Sequence, residues 1–133
     1  MPHPDPSQVV SRFFATHDPV VRSKSIIYID GGRRRGDSMT ITLNVYYKGK
    51  DGSACRFVED MVSEGILGDV RAEDGCLGYS YYSSMDDDEV VLLVEHWRDE
   101  SALDVHSVSP NMARIVALKE RHGLMTDIER FSG

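Results

Sequence analysis

A chain of 133 residues, 41% hydrophobic and 28% charged, has room for one globular domain with a modest core. Its 22 acidic against 15 basic side chains leave a net charge of −7, the wrong sign for a protein that tracks phosphate backbones or anionic lipid. The two cysteines, Cys55 and Cys76, have no histidine or cysteine partner at zinc-ligand spacing, so no metal site is expected.

The first 38 residues differ from the rest and read as an N-terminal extension. Pro2, Pro4 and Pro6 open it without the charged start and apolar core of a secretory signal, and no apolar stretch reaches membrane-spanning length. A soluble, cytoplasmic, reduced protein is therefore expected. Gln8 to Ala15, with Val9, Val10, Phe13 and Phe14, predicts a stub helix. Ser25 to Ile29 is rich in β-branched and aromatic residues and predicts an added strand or arm, and Asp30 to Asp37 predicts a loop. Arg33-Arg34-Arg35 falls in that loop and reads as a solvated run, not a nucleic-acid patch.

Residues 39–133 carry regular signals. Met39, Ile41, Leu43, Val45 and Tyr47 alternate with mostly polar partners, the mark of a strand with one apolar face. After Lys48 to Gly52, Val58, Val62, Ile66 and Val70 recur every fourth residue beside Ala54, Phe57 and Met61, predicting one amphipathic helix of about five turns. Ala72 to Gly75 ends it, and a second strand follows with Leu77, Tyr79 and Tyr81 on one face. An acidic turn, Met85 to Asp88, leads into Glu89 to Trp97, an apolar run that suggests a strand covered on both faces. Asp99 is a good N-cap for a helix holding Ala102, Leu103 and His106, and Ser109-Pro110 opens another that Gly123 stops. Thr126 to Phe131 closes the chain as a last strand.

The order is β-α-β-β-α-β, an α+β ferredoxin-like antiparallel sheet with helices on one face only. The other face needs an apolar cover, and a second copy packing sheet to sheet, as a homodimer, supplies it. Asn44 projects from the face opposite Leu43, and a buried amide there would make either an interface hydrogen bond or a substrate contact.

Three motifs, Glu73-Asp74-Gly75-Cys76-Leu77-Gly78-Tyr79, Glu95-His96-Trp97-Arg98-Asp99 and Ala102-Leu103-Asp104-Val105-His106 before Ser109-Pro110, together resemble the antibiotic biosynthesis monooxygenase domains. The resemblance covers Met39 to Phe131 and implies a dimeric α/β barrel. It also implies one of three chemistries: oxidation of quinols and aromatic polyketides without metal or flavin, isomerisation of small phosphorylated carbonyl compounds, or haem degradation. The haem-degrading branch places a histidine in the last helix and a tryptophan where this chain has His106. Here that helix offers Met112, Ile115, Val116 and Leu118, with His122 only at its end, so Asn44 alone fits that branch.

His106 is the candidate base, because a neutral imidazole on the inner side of a helix can take a proton near neutral pH, and the resemblance points to the same position. A structural histidine satisfied by backbone groups is the alternative. Trp97 could floor an aromatic pocket, and a phenol from Tyr79 or Tyr81 could hold a substrate oxygen, although a large aromatic is more often core and at least one of the tyrosines reads as packing. His96 alternates with Glu95 and Trp97 at a strand end and reads as structural or as a dimer-interface residue. The expected activity is a cofactor-independent monooxygenase acting on a small aromatic substrate. An isomerase, with Arg98 or Arg114 converging on phosphate, and a non-catalytic dimeric ligand-binding protein are the alternatives.

Overall fold

Two strands of alternating character form the centre of the structure, a computed structural model that describes residues 39–133 and the backbone of residues 11–15. In β2 (Ile41–Lys48), Ile41, Leu43, Val45 and Tyr47 are buried while the residues between them are less so. In β4 (Val90–Trp97) the same parity buries Val91, Leu93, Glu95 and Trp97. The two strands run antiparallel, with Ile41 opposite Trp97 and Lys48 opposite Val90, so both inner sets face the same side.

β5 (Met125–Ser132) pairs with the free edge of β2, and β3 (Cys76–Ser83) pairs with that of β4. With β1 (Ser11–Ala15) the sheet order is β1-β5-β2-β4-β3, antiparallel at every pair. The order of its last four strands is the ferredoxin-like arrangement, with helices packed on the inner face, and the sheet does not close on itself.

Three expectations change. The five-turn helix is two helices, α1 (Ser53–Ser63) and α2 (Ile66–Arg71). Gly65 sits between them at φ 78, a conformation that glycine adopts without strain, and the buried set changes phase from Ala54, Phe57 and Met61 to Ile66, Leu67 and Val70. Val62, which a single helix would have packed, is exposed.

In β3 the register shifts between Cys76 and Gly78, so Leu77 is the extra residue of a bulge. At 59% exposure it leaves the inner face to Tyr79 and Tyr81.

Finally, Ser11–Ala15 is a strand rather than part of a stub helix, with Ser11 opposite Arg130 and Ala15 opposite Thr126. An eight-residue window cannot separate the two periods, and the unpaired edge of β5 decides in favour of the strand. The predicted strand at Ser25 to Ile29, the arginine run, and the rest of the extension lie outside the described residues.

Beyond β4 come α3 (Glu100–Ser107) and α4 (Pro110–Arg121). Asp99 caps α3 by accepting from the Ala102 N–H at 2.9 Å, and Ser109 caps α4 by accepting from the Met112 N–H at 3.1 Å, as their side chains predict. The outer face of β2 and β4 carries Thr42, Asn44, Tyr46, Val90, Leu92 and Val94, all partly exposed in the single chain, and the exposed His96. On β5, Asp127 and Glu129 share that face and are buried, Glu129 accepting from the Tyr46 hydroxyl at 2.7 Å.

Candidate functional site

The end of β4 and the start of α3 build a buried polar cluster under the helices. Trp97 is fully buried, and its indole N–H donates to a Glu95 carboxylate oxygen at 2.9 Å. The chain then turns, held by the Arg98 N–H donating to the Gly75 carbonyl at 2.8 Å, and by the Arg98 guanidinium donating to both Asp74 oxygens at 3.2 and 3.1 Å. Gly75 is required at this crossing, because at φ 84 a Cβ would lie 2.4 Å from that of Ala102.

One and a half turns along α3, His106 reaches back to the sheet at 1% exposure. Its ring stacks on Trp97 with centroids 4.5 Å apart and planes 29° apart, and it meets Tyr79 edge-on at 6.0 Å. Nδ1 lies 2.9 Å from one Glu73 oxygen, and the other Glu73 oxygen accepts from the Asn111 amide at 2.9 Å. Nε2 is buried and has no hydrogen-bond partner among the described residues. Such an atom is costly in a purely structural role and is suited to meeting a ligand.

Aromatic rings extend the cluster along the sheet. Tyr79 and Tyr81 stand edge to face at 6.1 Å, Tyr81 meets Phe57 at 6.2 Å, and Phe57 meets Tyr47 at 4.9 Å. Burial holds the phenols of Tyr47, Tyr79 and Tyr81 above their ordinary range, so all three are neutral hydrogen-bonding groups. Burial also raises the Glu95 carboxyl, with His106 and the Trp97 indole pulling the other way. A carboxyl, an imidazole and phenols in one apolar enclosure can move a proton and hold an oxygen.

Of the residues that the sequence points to, His106, Trp97, Tyr79 and Tyr81 come together here. Asn44 does not: it lies on the outer face, opposite Val94 and Glu129 in register. His96 is on that face too, its Nδ1 3.0 Å from the Thr42 hydroxyl. Arg98 is engaged with Asp74, and Arg114 with Asp69 at 2.7 Å, so neither converges on His106. His122 pairs with Asp60 at 2.7 Å and meets Phe57 edge-on at 6.3 Å, at the far end of the aromatic row from His106.

Glu73, Glu95 and Asn111 are the site residues that sequence reasoning missed. Only Glu95 carries a signal, as a carboxylate on the otherwise apolar parity of Val91, Leu93 and Trp97. Among the described residues no group of three or more His, Cys, Asp or Glu side chains could hold a metal ion. No helix among them is long and apolar enough to cross a membrane.

The family model described as "Antibiotic biosynthesis monooxygenase" matches residues 40–118. Two curated relatives match shorter stretches. "Uncharacterized protein sll1783" of Synechocystis is 37% identical over 49 residues, 37% of this chain and 33% of that protein. "Putative monooxygenase Rv0793" of Mycobacterium tuberculosis is 44% identical over 48 residues, 36% of this chain and 46% of that protein. The matches thus span a third to under a half of the length of these relatives. A crystal structure from Bacteroides thetaiotaomicron, described as a conserved protein of unknown function and possible oxidoreductase, superposes with a TM-score of 0.64 at 20% identity. It covers 73% of this chain and 100% of its own, a likeness of fold.

Proposed function

From the premise that this chain belongs to the antibiotic biosynthesis monooxygenase family, whose model matches residues 40–118, we propose that it is a cofactor-independent monooxygenase oxidising a quinol or aromatic polyketide-like substrate with dioxygen. The single observation that supports this reading most is the His106 Nε2 atom, buried between Trp97 and Tyr79 and without a partner among the described residues.

Nε2 takes a proton from an activated phenol or methylene of the substrate. For a methylene carbon acid, the carbanion adds to dioxygen to give a peroxide. Loss of the second C–H proton expels hydroxide, which protonation turns into water, and a carbonyl remains. One oxygen atom enters the product and the other leaves as water, so no external reductant is consumed. Trp97 supplies an aromatic floor, and the neutral phenols of Tyr79 and Tyr81 donate to the developing oxyanion.

Two copies pack through the outer sheet face, where Leu92 and Val94 are partly exposed and Asn44 can serve as an interface hydrogen bond. The free thiols of Cys55 and Cys76 suit a reducing, cytoplasmic location. Arg98 and Arg114 are both occupied by carboxylates, which speaks against the isomerase of phosphorylated substrates.

The test is oxygen uptake with a panel of quinols and anthrone-like phenols, with chelator present and His106→Ala alongside. Uptake that resists chelator and falls roughly 10²–10⁴-fold in the variant is expected. Full activity in His106→Ala removes the base, and no uptake across the panel moves the reading to an isomerase or a ligand-binding protein.

A further inference from the structure

We infer that Glu73 is a positioning residue, and that a hydrogen-bond chain from Arg114 through Asn111 and Glu73 places the ring proton of His106 on Nδ1 and leaves the Nε2 lone pair as the acceptor. The consequence for turnover rests on the reading of His106 as base, whereas the proton placement does not.

The polarity of the chain follows from what each group can donate. The Arg114 guanidinium has donors only, and its Nη1 lies 3.1 Å from the Asn111 side-chain oxygen. The two ends of an asparagine amide are nearly equal in shape, but this contact makes the oxygen face Arg114 and turns the amide nitrogen to Glu73 at 2.9 Å. The Glu73 carboxylate accepts only, so the His106 nitrogen 2.9 Å from its other oxygen must carry a hydrogen. A neutral imidazole has one N–H, and with Nδ1 taking it, Nε2 is left bare.

The root of the chain is firm. Arg114 also donates to Asp69 at 2.7 Å and to the Glu64 carbonyl at 3.1 Å, tying α4 to both α2 and the end of α1. Asn111 and Arg114 lie on α4, Glu73 on the α2–β3 turn and His106 on α3, so three segments separated in the sequence agree on one direction of donation. The stack on Trp97 fixes the plane of the ring, and with Nδ1 bound to Glu73 the bare Nε2 is held at one place in the cluster.

The chain makes a prediction that a brace does not. In Glu73→Gln, the Asn111 amide still donates to the new carbonyl, because Arg114 holds it that way round. The glutamine nitrogen is then turned to Nδ1, which must accept, and the proton moves to Nε2. Two-bond 15N–1H correlation spectra of the histidine rings in the alkaline limit read this directly. In the wild type the His106 proton is expected on Nδ1, and in Glu73→Gln on Nε2, with turnover falling roughly 10²–10⁴-fold because a base has become a donor.

Adding Arg114→Met frees Asn111 to turn over, so a share of the Nδ1–H form and of the activity should return in the double variant. A wild-type proton on Nε2, or an unchanged tautomer in Glu73→Gln, overturns the inference without any substrate. The tautomers as expected together with an active His106→Ala would overturn the base and the role of Glu73 in turnover, while the proton placement would stand.

Discussion

The two faces of the sheet are made of alternate residues from the same strands, yet they reach different states. Leu43, Leu93, Tyr79 and Trp97 turn inward and are covered by helices of their own chain, whereas Asn44, Leu92 and Val94, each one position away, stay partly exposed. The inner face also holds the polar side chains Glu95 and His106, while the outer face of β4 is apolar apart from His96. A buried polar cluster costs desolvation that apolar side chains would avoid, and a half-covered apolar strand leaves hydrophobic area unused. On the proposed reading the inner cluster serves chemistry and the outer strip of β2 and β4 takes the cover of a second copy, while on β5 the outward-facing Asp127 and Glu129 are already buried.

The contrast would break first at Trp97. Its indole packs His106 and satisfies Glu95, so Trp97→Ala leaves a cavity, an unstacked imidazole and a carboxyl without its donor. A loss of about 3–5 kcal/mol in urea unfolding is expected. A loss under about 1 kcal/mol would mean that the inner face is not a packed core. The outer face should respond in assembly instead. Val94→Asp introduces a charge at the centre of the proposed interface, opposite Asn44 and Ser80. Sedimentation should show at least a tenfold weaker dimer, roughly 1.4 kcal/mol, with the circular dichroism spectrum kept. A wild type that sediments as a monomer would leave this face without the proposed cover.

Much of this division was legible in the sequence because strand parity has a period of two residues. Ile41 to Tyr47 and Val91 to Trp97 show it directly, and capping chemistry marked Asp99 and Ser109. Parity likewise brought Tyr79, Tyr81 and Trp97 to the face where His106 arrives. It could not show that Leu77 drops out of register, because a bulge depends on pairing with β4. Nor could a four-residue repeat from Val58 to Val70 show the break at Gly65, which keeps the apolar spacing while changing its phase. Glu73 and Asn111 were out of reach for another reason. They meet across 38 residues, and Glu73 meets His106 across 33, so only the folded chain brings them within hydrogen-bond distance.

The smallest expected effect tests whether the inner cluster is kept at a cost. Burial raises the Glu95 carboxyl above its ordinary value of 4.5, so the folded chain binds this proton more tightly than the unfolded one. Between the unfolded and folded values the native state carries the extra proton, and stability falls as pH rises through that window. The cost is therefore absent in acid below about 4.5 and fully present above the folded value. Glu95→Gln keeps an oxygen for the Trp97 indole and removes the charge, so its melting temperature should exceed that of the wild type at high pH and converge with it on acidification. A variant less stable at every pH would show that the carboxylate is held by more than the indole and that the cluster stabilises the fold. The expected gain at high pH would instead identify Glu95 as a group that opposes the fold's stability, a pattern found where a charge is retained for its chemistry.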